Sequence, residues 1–195
     1  MVEYNKEIYN AEWLKKRVRF HGMINKISDY IVNELGPFET SLDLGAGDGH
    51  YSYVLSNHGI DATAVDIHPW ELEQLPTKEV NCITHDLQEP LKLNRCFDLV
   101  LCIQMAEHLP KTAANNLCDA IANHCGGLLI FTAAPPGQAG DGHINCRPKE
   151  YWDEKLTSRG LIYRPEETER IREGWKNILG DKMRWLCTNI MIYKS

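Results

Sequence analysis

The sequence predicts an α/β fold, a largely parallel sheet joined by crossover helices, on three observations. After Pro37, short apolar runs alternate with polar or helical stretches. The first of these runs feeds directly into a glycine-rich turn, LDLGAGDGHYS at 42–52. The next run closes on an acid, Asp66, about 20 residues beyond the glycines.

Each element follows from its own pattern. Trp13, Phe20, Ile24, Ile27, Ile31 and Leu35 recur at helical spacing and predict one amphipathic helix that stops at Gly36-Pro37. Its basic run, KKRVR at 15–19, reads as a solvated face. Residues 1–36 thus form an N-terminal helical extension, a candidate lid, ahead of one domain at 37–195. Strands are expected at 40–44, 60–65, 80–84, 97–103 and 128–132, in the alternation that right-handed crossovers require. Helices at 148–158 and 165–179 bracket a short strand at 161–163. WLCTNIMIYK, 185–194, reads as a long closing strand suited to an antiparallel edge hairpin.

Composition narrows the function classes. A chain of 195 residues, 43% hydrophobic, supports one well-buried core and not two. A net charge of −6 argues against broad adhesion to nucleic acid or anionic lipid. No apolar run approaches the roughly 18 residues that span a bilayer, and MVEYNKEIYN lacks a signal-peptide core, so a cytoplasmic protein is expected. Seven cysteines, an odd number without a C-x-x-C pair, read as reduced thiols.

The glycine turn carries the chemistry. Gly45, Gly47 and Gly49 allow a sharp reversal and a close approach of backbone to ligand, and Asp66 can accept hydrogen bonds from both ribose hydroxyls. A dinucleotide fingerprint spaces its glycines G-x-G-x-x-G and offers a helix N-terminus to pyrophosphate. Here the spacing is compressed, and Asp48 stands where that phosphate would approach. Asp43 and Asp48 suit instead a cationic ligand with an amino group, which is the chemistry of S-adenosylmethionine.

Over residues 40–152 the chain resembles the class I S-adenosylmethionine-dependent methyltransferases. The resemblance implies a Rossmann-like fold: a mixed seven-stranded sheet with flanking helices and an antiparallel C-terminal edge strand. It implies an enzyme that binds S-adenosyl-L-methionine and releases S-adenosyl-L-homocysteine. The turn, with Asp43, Gly45, Ala46, Gly47 and Asp48, would then lie under the methionine and ribose. Asp66 and its neighbour Ile67 would hold the ribose, and His85, Asp86 and Leu87 would meet adenine. FDLVLCIQMAEHLP, 97–110, matches the family's fourth strand and following loop, which borders methionine and substrate. It brings in Cys102 and Gln104 as cofactor contacts and His108 as a candidate base, although Cys102, with no basic neighbour in sequence, reads as a small core residue rather than a thiol catalyst.

The stretch TAAPPGQAGDGHINCRPKEYW, 132–152, follows the expected fifth strand, where open α/β sheets bind their ligands. It resembles a subgroup with a P-G-x-x-G-x-x-H-x-N pattern followed by R-P-x-x-Y-W, associated with small-molecule or surface-sugar modification. His143 and His108 are the candidate catalytic bases; Glu107, Asp141, Asn145 and Arg147 are candidate substrate contacts. Asp141 with His143, or His124, Cys125, His143 and Cys146 together, lack a compact ligand spacing, so no metal is assigned. The expected reaction is O-methylation of a small molecule such as a sugar or other hydroxylated metabolite. A phosphonate or carboxylate, a nucleic acid or protein acceptor, and a cofactor-binding module without catalysis stand as alternatives.

Overall fold

The computed structural model describes residues 11–67 and 80–195. The first ten residues, on which the leader reading rests, and 68–79 lie outside the described residues.

The leading helix is two helices. α1 (Ala11–Val18) ends in a turn through Arg19 and Phe20, and α2 (His21–Leu35) begins afresh. The break carries no proline, and Gly22 falls inside α2, so the helical periodicity runs straight through it. The cause is tertiary: the His21 side chain is held by Asp48 at 2.8 Å, and Arg17 lies 3.7 Å from the same carboxylate. Beyond the break α2 keeps its apolar stripe, with Ile24, Ile27 and Ile31 buried.

Among the described residues seven strands form one sheet in the order β3-β2-β1-β4-β5-β7-β6. β1 (Thr40–Leu44), β2 (Asp61–Asp66), β3 (Val80–Thr84), β4 (Phe97–Ile103) and β5 (Cys125–Thr132) pair in parallel. β7 (Ile190–Lys194) runs antiparallel to β5, and the two-residue β6 (Ile162–Tyr163) pairs antiparallel with β7 to complete that edge. The expected long closing strand is half helix: α7 (Arg184–Asn189) precedes β7. WLCTN has no alternation to favour either state, and Leu186 and Cys187 become buried only through their packing under α6 (Pro165–Leu179).

The inner strands β1, β2, β4, β5 and β7 are buried on both faces, whereas β3 and β6 are largely exposed, and in β4 successive residues divide between two cores. In β4, Val100 and Cys102 face a core shared with α4 (Ala114–His124) and with Trp152 and Leu156 of α5 (Lys149–Thr157). Leu99 and Leu101 face the opposite core, shared with α2, with Tyr51 and Leu55 of α3 (His50–Asn57), and with Ile171, Trp175 and Leu179 of α6. Gly174 lets α6 lie close to α2, because a side chain there would collide with the Tyr30 ring. Among the described residues no helix is long and apolar enough to cross a membrane, and no disulfide joins any of the seven cysteines.

Trp175 is fully buried at the junction of α6, α2 and the sheet. Trp175→Ala should cost about 3 to 5 kcal/mol of unfolding free energy, read from the shift of the urea midpoint at unchanged slope.

Candidate functional site

The site lies at the carboxyl ends of β1 and β4, where the strand order reverses. β1 runs out at Leu44, and the chain turns through Gly45 and Gly47 with φ of 77° and 58°, a region that side chains with a Cβ disfavour. The Gly45 and Ala46 N–H groups both donate to the Val65 carbonyl, at 2.9 and 3.1 Å, and the Gly47 N–H donates to Asp66 Oδ2 at 2.9 Å. The turn is thereby clamped to the end of β2 with the Asp66 carboxylate at its rim. A side chain on Gly45 would run into Met105, and one on Gly47 would meet the Trp13 ring at 3.5 Å. The two glycines keep a backbone-lined cradle open under those neighbours.

Asp43, at the end of β1, is 3% exposed. Burial, then the nearby Asp66 charge, pushes its carboxyl up to about 7, against a weak hydrogen bond from Ser52 Oγ at 3.4 Å. A buried acid beside a second acid is short of a cation, and a ligand carrying an ammonium and a sulfonium group supplies one. The donor set therefore fits S-adenosylmethionine.

Asp48 departs from the expected ligand contact. Its carboxylate is taken by His21 and Arg17, and so serves to tie α1 and α2 over the glycine turn. His21 in turn stacks on His50, with ring centroids 3.6 Å apart, and His50 Nε2 meets Asn25 Oδ1 at 2.7 Å. Burial and the neighbouring His21 push His50 down to about 4.

A cavity of about 390 Å³ opens from the cradle, a size that suits a small ligand. Asp66, Ile67, His85, Asp86 and Leu87, the residues expected to meet ribose and adenine, line it. Asp86 Oδ1 accepts the Gln88 N–H at 2.9 Å, so the carboxylate also shapes its own loop. Gln104 lines the floor with φ of 53°; its backbone N–H and its side-chain Nε2 both donate to Thr132 Oγ1, at 2.9 and 3.0 Å. Ala46 lies at the back, against a smaller hollow that Asp43 and Gln104 also line. Cys102 does not reach the cavity: it is fully buried in the α4 core, where burial holds its thiol far above the ordinary range. It is the core residue of the two readings.

His108, Asp141 and His143 line the same cavity. Glu107 and His108 belong to a single tight turn, Ala106–His108, after β4. The Glu107 carbonyl accepts the N–H groups of Ile144 and Asn145, both at 3.0 Å, which sews that turn to the loop after β5. The Glu107 side chain is fully buried and 3.9 Å from His143 Nε2; burial pushes its carboxyl up to about 7, opposed by its own backbone N–H and that of Ala134. Burial, then the neighbouring His143, pushes His108 down to about 4, so its ring is neutral at physiological pH.

Three expected substrate contacts do not line this space: Glu107, which is fully buried, Asn145 and Arg147. Asn145 is 2% exposed and its Oδ1 accepts from Arg147 Nε at 2.8 Å, while the Arg147 guanidinium lies over the Tyr151 ring. Both brace the loop from behind. The four-residue zinc reading also fails: His124 sits at the far end of β5, donating from Nδ1 to the Ala120 carbonyl and accepting the Leu93 N–H at Nε2.

The cavity also uses residues that sequence reasoning passed over. Met105 projects from the turn after β4 and Gln138 from the quoted loop, so both lay inside stretches already marked. Arg19 and Phe20 enter at the unforeseen break between α1 and α2. Trp185 enters from α7, hidden by the reading of that segment as strand.

Comparison with known proteins agrees with this geometry. A methyltransferase-domain family model matches residues 15–161. Ubiquinone biosynthesis O-methyltransferases from Rickettsia akari and Psychrobacter arcticus are each 30% identical, over 139 and 122 residues, or 69% and 56% of this chain. Those stretches are 51% and 42% of the relatives, so the chain spans about half the length of the curated proteins it matches. Among solved structures, an S-adenosylmethionine-dependent methyltransferase from Archaeoglobus fulgidus superposes with a TM-score of 0.66 at 15% identity, over 95% of this chain and 100% of that one. Magnesium protoporphyrin IX methyltransferase from Synechocystis, with S-adenosylhomocysteine bound, superposes with a TM-score of 0.62 at 18% identity, over 98% and 92%. The chain belongs to the class I S-adenosylmethionine-dependent methyltransferases.

Proposed function

We propose that this methyltransferase acts on a hydroxyl oxygen of a small molecule, a sugar or another hydroxylated metabolite. One observation carries the reading: the cavity that Gly45 and Gly47 line is lined also by His108 and His143, with the buried Glu107 3.9 Å from His143 Nε2, and these are proton-accepting groups for an acceptor beside the cofactor. The O-methyltransferase names of the 30% identical relatives support the same chemistry.

S-adenosylmethionine, when bound, supplies a methyl group on an electrophilic sulfonium, which needs a nucleophile in line behind it. This chain's residues divide the remaining work. Asp66 receives the ribose hydroxyls, with Ile67 beside it. His85, Asp86 and Leu87 border adenine, and Asp43 with Gln104 and the glycine turn holds the methionine end. Trp13 and Arg17, above Gly47, form the lid side of the N-terminal extension. Holding the two reactants together removes about 7 to 11 kcal/mol of the barrier, and a positioned proton acceptor contributes roughly 10²- to 10⁴-fold more. A hydroxyl gains most from the second effect. Arg19 at the cavity wall favours a second reading, an anionic carboxylate or phosphonate acceptor, which has no proton to lose.

Transfer of an isotopically labelled methyl group to a panel of hydroxylated, carboxylated and phosphonylated small molecules tests the proposal. A labelled methyl ether in the product is expected; labelled esters alone would select the second reading, and turnover confined to RNA or protein would discard both.

The cofactor assignment is tested by calorimetry. Asp66→Ala should weaken S-adenosylmethionine binding by about 1.5 to 3 kcal/mol, and wild-type affinity in a folded variant would move the ribose site elsewhere.

Asp43 couples that site to stability. Below the ordinary carboxyl value of 3.8 neither folded nor unfolded chain is ionised there, so Asp43→Asn should be neutral. Between 3.8 and about 7 the unfolded carboxyl ionises while the folded one stays protonated, and wild-type protein loses stability as pH rises. The ligand-free Asp43→Asn variant should therefore melt above wild type, by a gap that widens from about pH 4, levels off above about pH 7, and amounts to about 4 kcal/mol at most. The same variant should bind S-adenosylmethionine more weakly.

A further inference from the structure

His143 owes its orientation to a tight turn and to the edge of the sheet. Pro135, Pro136, Gly137 and Gln138 form a turn in which the Gln138 N–H donates to the Pro135 carbonyl at 3.1 Å, with proline at its second position and Gly137, at φ of 87°, at its third. The turn fixes where the Gln138 carbonyl points, and that carbonyl lies 3.2 Å from His143 Nδ1. Gly140 leaves room for the ring, since a side chain there would collide with it.

A carbonyl can only accept, so Nδ1 carries the ring proton and Nε2 keeps its lone pair. The Cys146 thiol, 3.7 Å from Nδ1, does not compete as a donor to it. Burial, then the Glu107 charge, holds that thiol above its ordinary value, and it donates to the same Gln138 carbonyl at 3.8 Å. Nε2 stands 3.9 Å from the Glu107 carboxyl, beyond hydrogen-bond reach, and the ring lines the cavity.

Gln138 is itself anchored from across the sheet. β5 and β7 pair Thr132 with Ile190, which sets Asn189, the last residue of α7, beside the loop that leaves β5. Asn189 is 2% exposed, and its Nδ2 donates to Gln138 Oε1 at 2.9 Å. A buried amide costs free energy unless it is bonded, so this contact ties the loop to the sheet edge.

We propose that Asn189, acting through Gln138, is the positioning residue that holds His143 as its Nδ1–H tautomer, with Nε2 kept for the proton of the acceptor hydroxyl. As the acceptor oxygen bonds the methyl carbon and the carbon–sulfur bond breaks toward sulfur, the hydroxyl proton passes to Nε2 and from there to solvent water. The ring is then an imidazolium, and its bond to the Gln138 carbonyl becomes charge-assisted and roughly twice as strong. The support is greatest when the charge develops, which is where it accelerates the reaction. The proton-accepting half of the inference rests on the hydroxyl reading above; the tautomer does not.

Nuclear magnetic resonance of the full chain, with isotopically labelled histidine nitrogens and at alkaline pH where the ring is neutral, reads the tautomer directly. The His143 signals are those missing from His143→Ala, and they should show a protonated Nδ1 and a bare Nε2. Asn189→Ala and Gln138→Ala should each lower the ratio of Nδ1–H to Nε2–H by about 10-fold, the worth of one hydrogen bond. The double variant should do no more than either alone, because both cut the same link. Gln138→Glu, whose carboxylate still accepts from Asn189, should keep the wild-type ratio. Should Asn189→Ala fail to fold by circular dichroism, Gln138→Ala, at the half-buried end of the link, carries the test. An Nε2–H ring in wild type would overturn the inference, as would a wild-type ratio in both alanine variants. With the acceptor that methyl labelling identifies, Asn189→Ala should lower kcat and leave the KM for S-adenosylmethionine unchanged, and Gln138→Glu should retain kcat. A fixed Nδ1–H ring without transfer to any hydroxyl defeats the acceptor reading alone, whereas transfer to a hydroxyl by a chain whose ring is Nε2–H defeats this inference alone.

Discussion

The reversal of strand order between β1 and β4 is the constraint on which the rest of the molecule depends. Those two parallel strands pair Ser41 with Leu99, Leu42 with Val100 and Asp43 with Leu101, yet the chain leaves β1 toward β2 and leaves β4 toward β5. Loops that depart in opposite directions cannot cover the gap between their own strand ends. The gap becomes the cavity, and each polar group that lines it is placed by the loop that turns away from it. Gly45 turns one way against Val65, and Gln104 turns the other way against Thr132.

What those loops leave uncovered is closed by two helices remote from them in the chain. Trp13 and Arg17 arrive from α1 and Trp185 from α7, far apart in sequence and on one cavity rim in space. Their anchors are unlike. Asp48 holds the N-terminal side by charge, whereas α7 is fixed by Leu186 and Cys187 buried under α6. A surface ion pair is worth little alone, so the buried Ile24, Ile27 and Ile31 of α2 do most of the anchoring and the Asp48 contacts set the angle.

Two buried carboxyls flank the glycine cradle and the turn after β4. Beneath the cradle, Asp43 and Asp66 place two acids close enough that the buried one is pushed up to about 7. In the turn after β4 a buried Glu107 adjoins neutral His108. Burial disfavours the ionised form of Asp43 and of Glu107 alike, and pushes each carboxyl up to about 7. Such sites cost folding stability and are kept open for ligands that repay the cost on binding.

By itself the sequence determined the strand-and-helix alternation, the glycine turn, the acid at the end of β2 and the loop after β3. Each is a local matter: β propensity, positive φ at Gly45 and Gly47, and a fixed distance along the chain to Asp66. The bounds of β1, β3, β4 and α6 coincide with those expected from pattern alone. Tertiary structure alone decided the break at Phe20, the helical state of α7, the capture of Asp48 by His21, and which loop residues face inward. Asn145 and Arg147 are as polar as Asp141, yet they point behind the loop because the Glu107 carbonyl holds the backbone at Ile144 and Asn145. The meeting of Glu107 with His143, 36 residues apart in the chain, is likewise a product of β4 and β5 lying side by side. Spacing along a sequence cannot encode that contact, because the pairing register of two strands sets it.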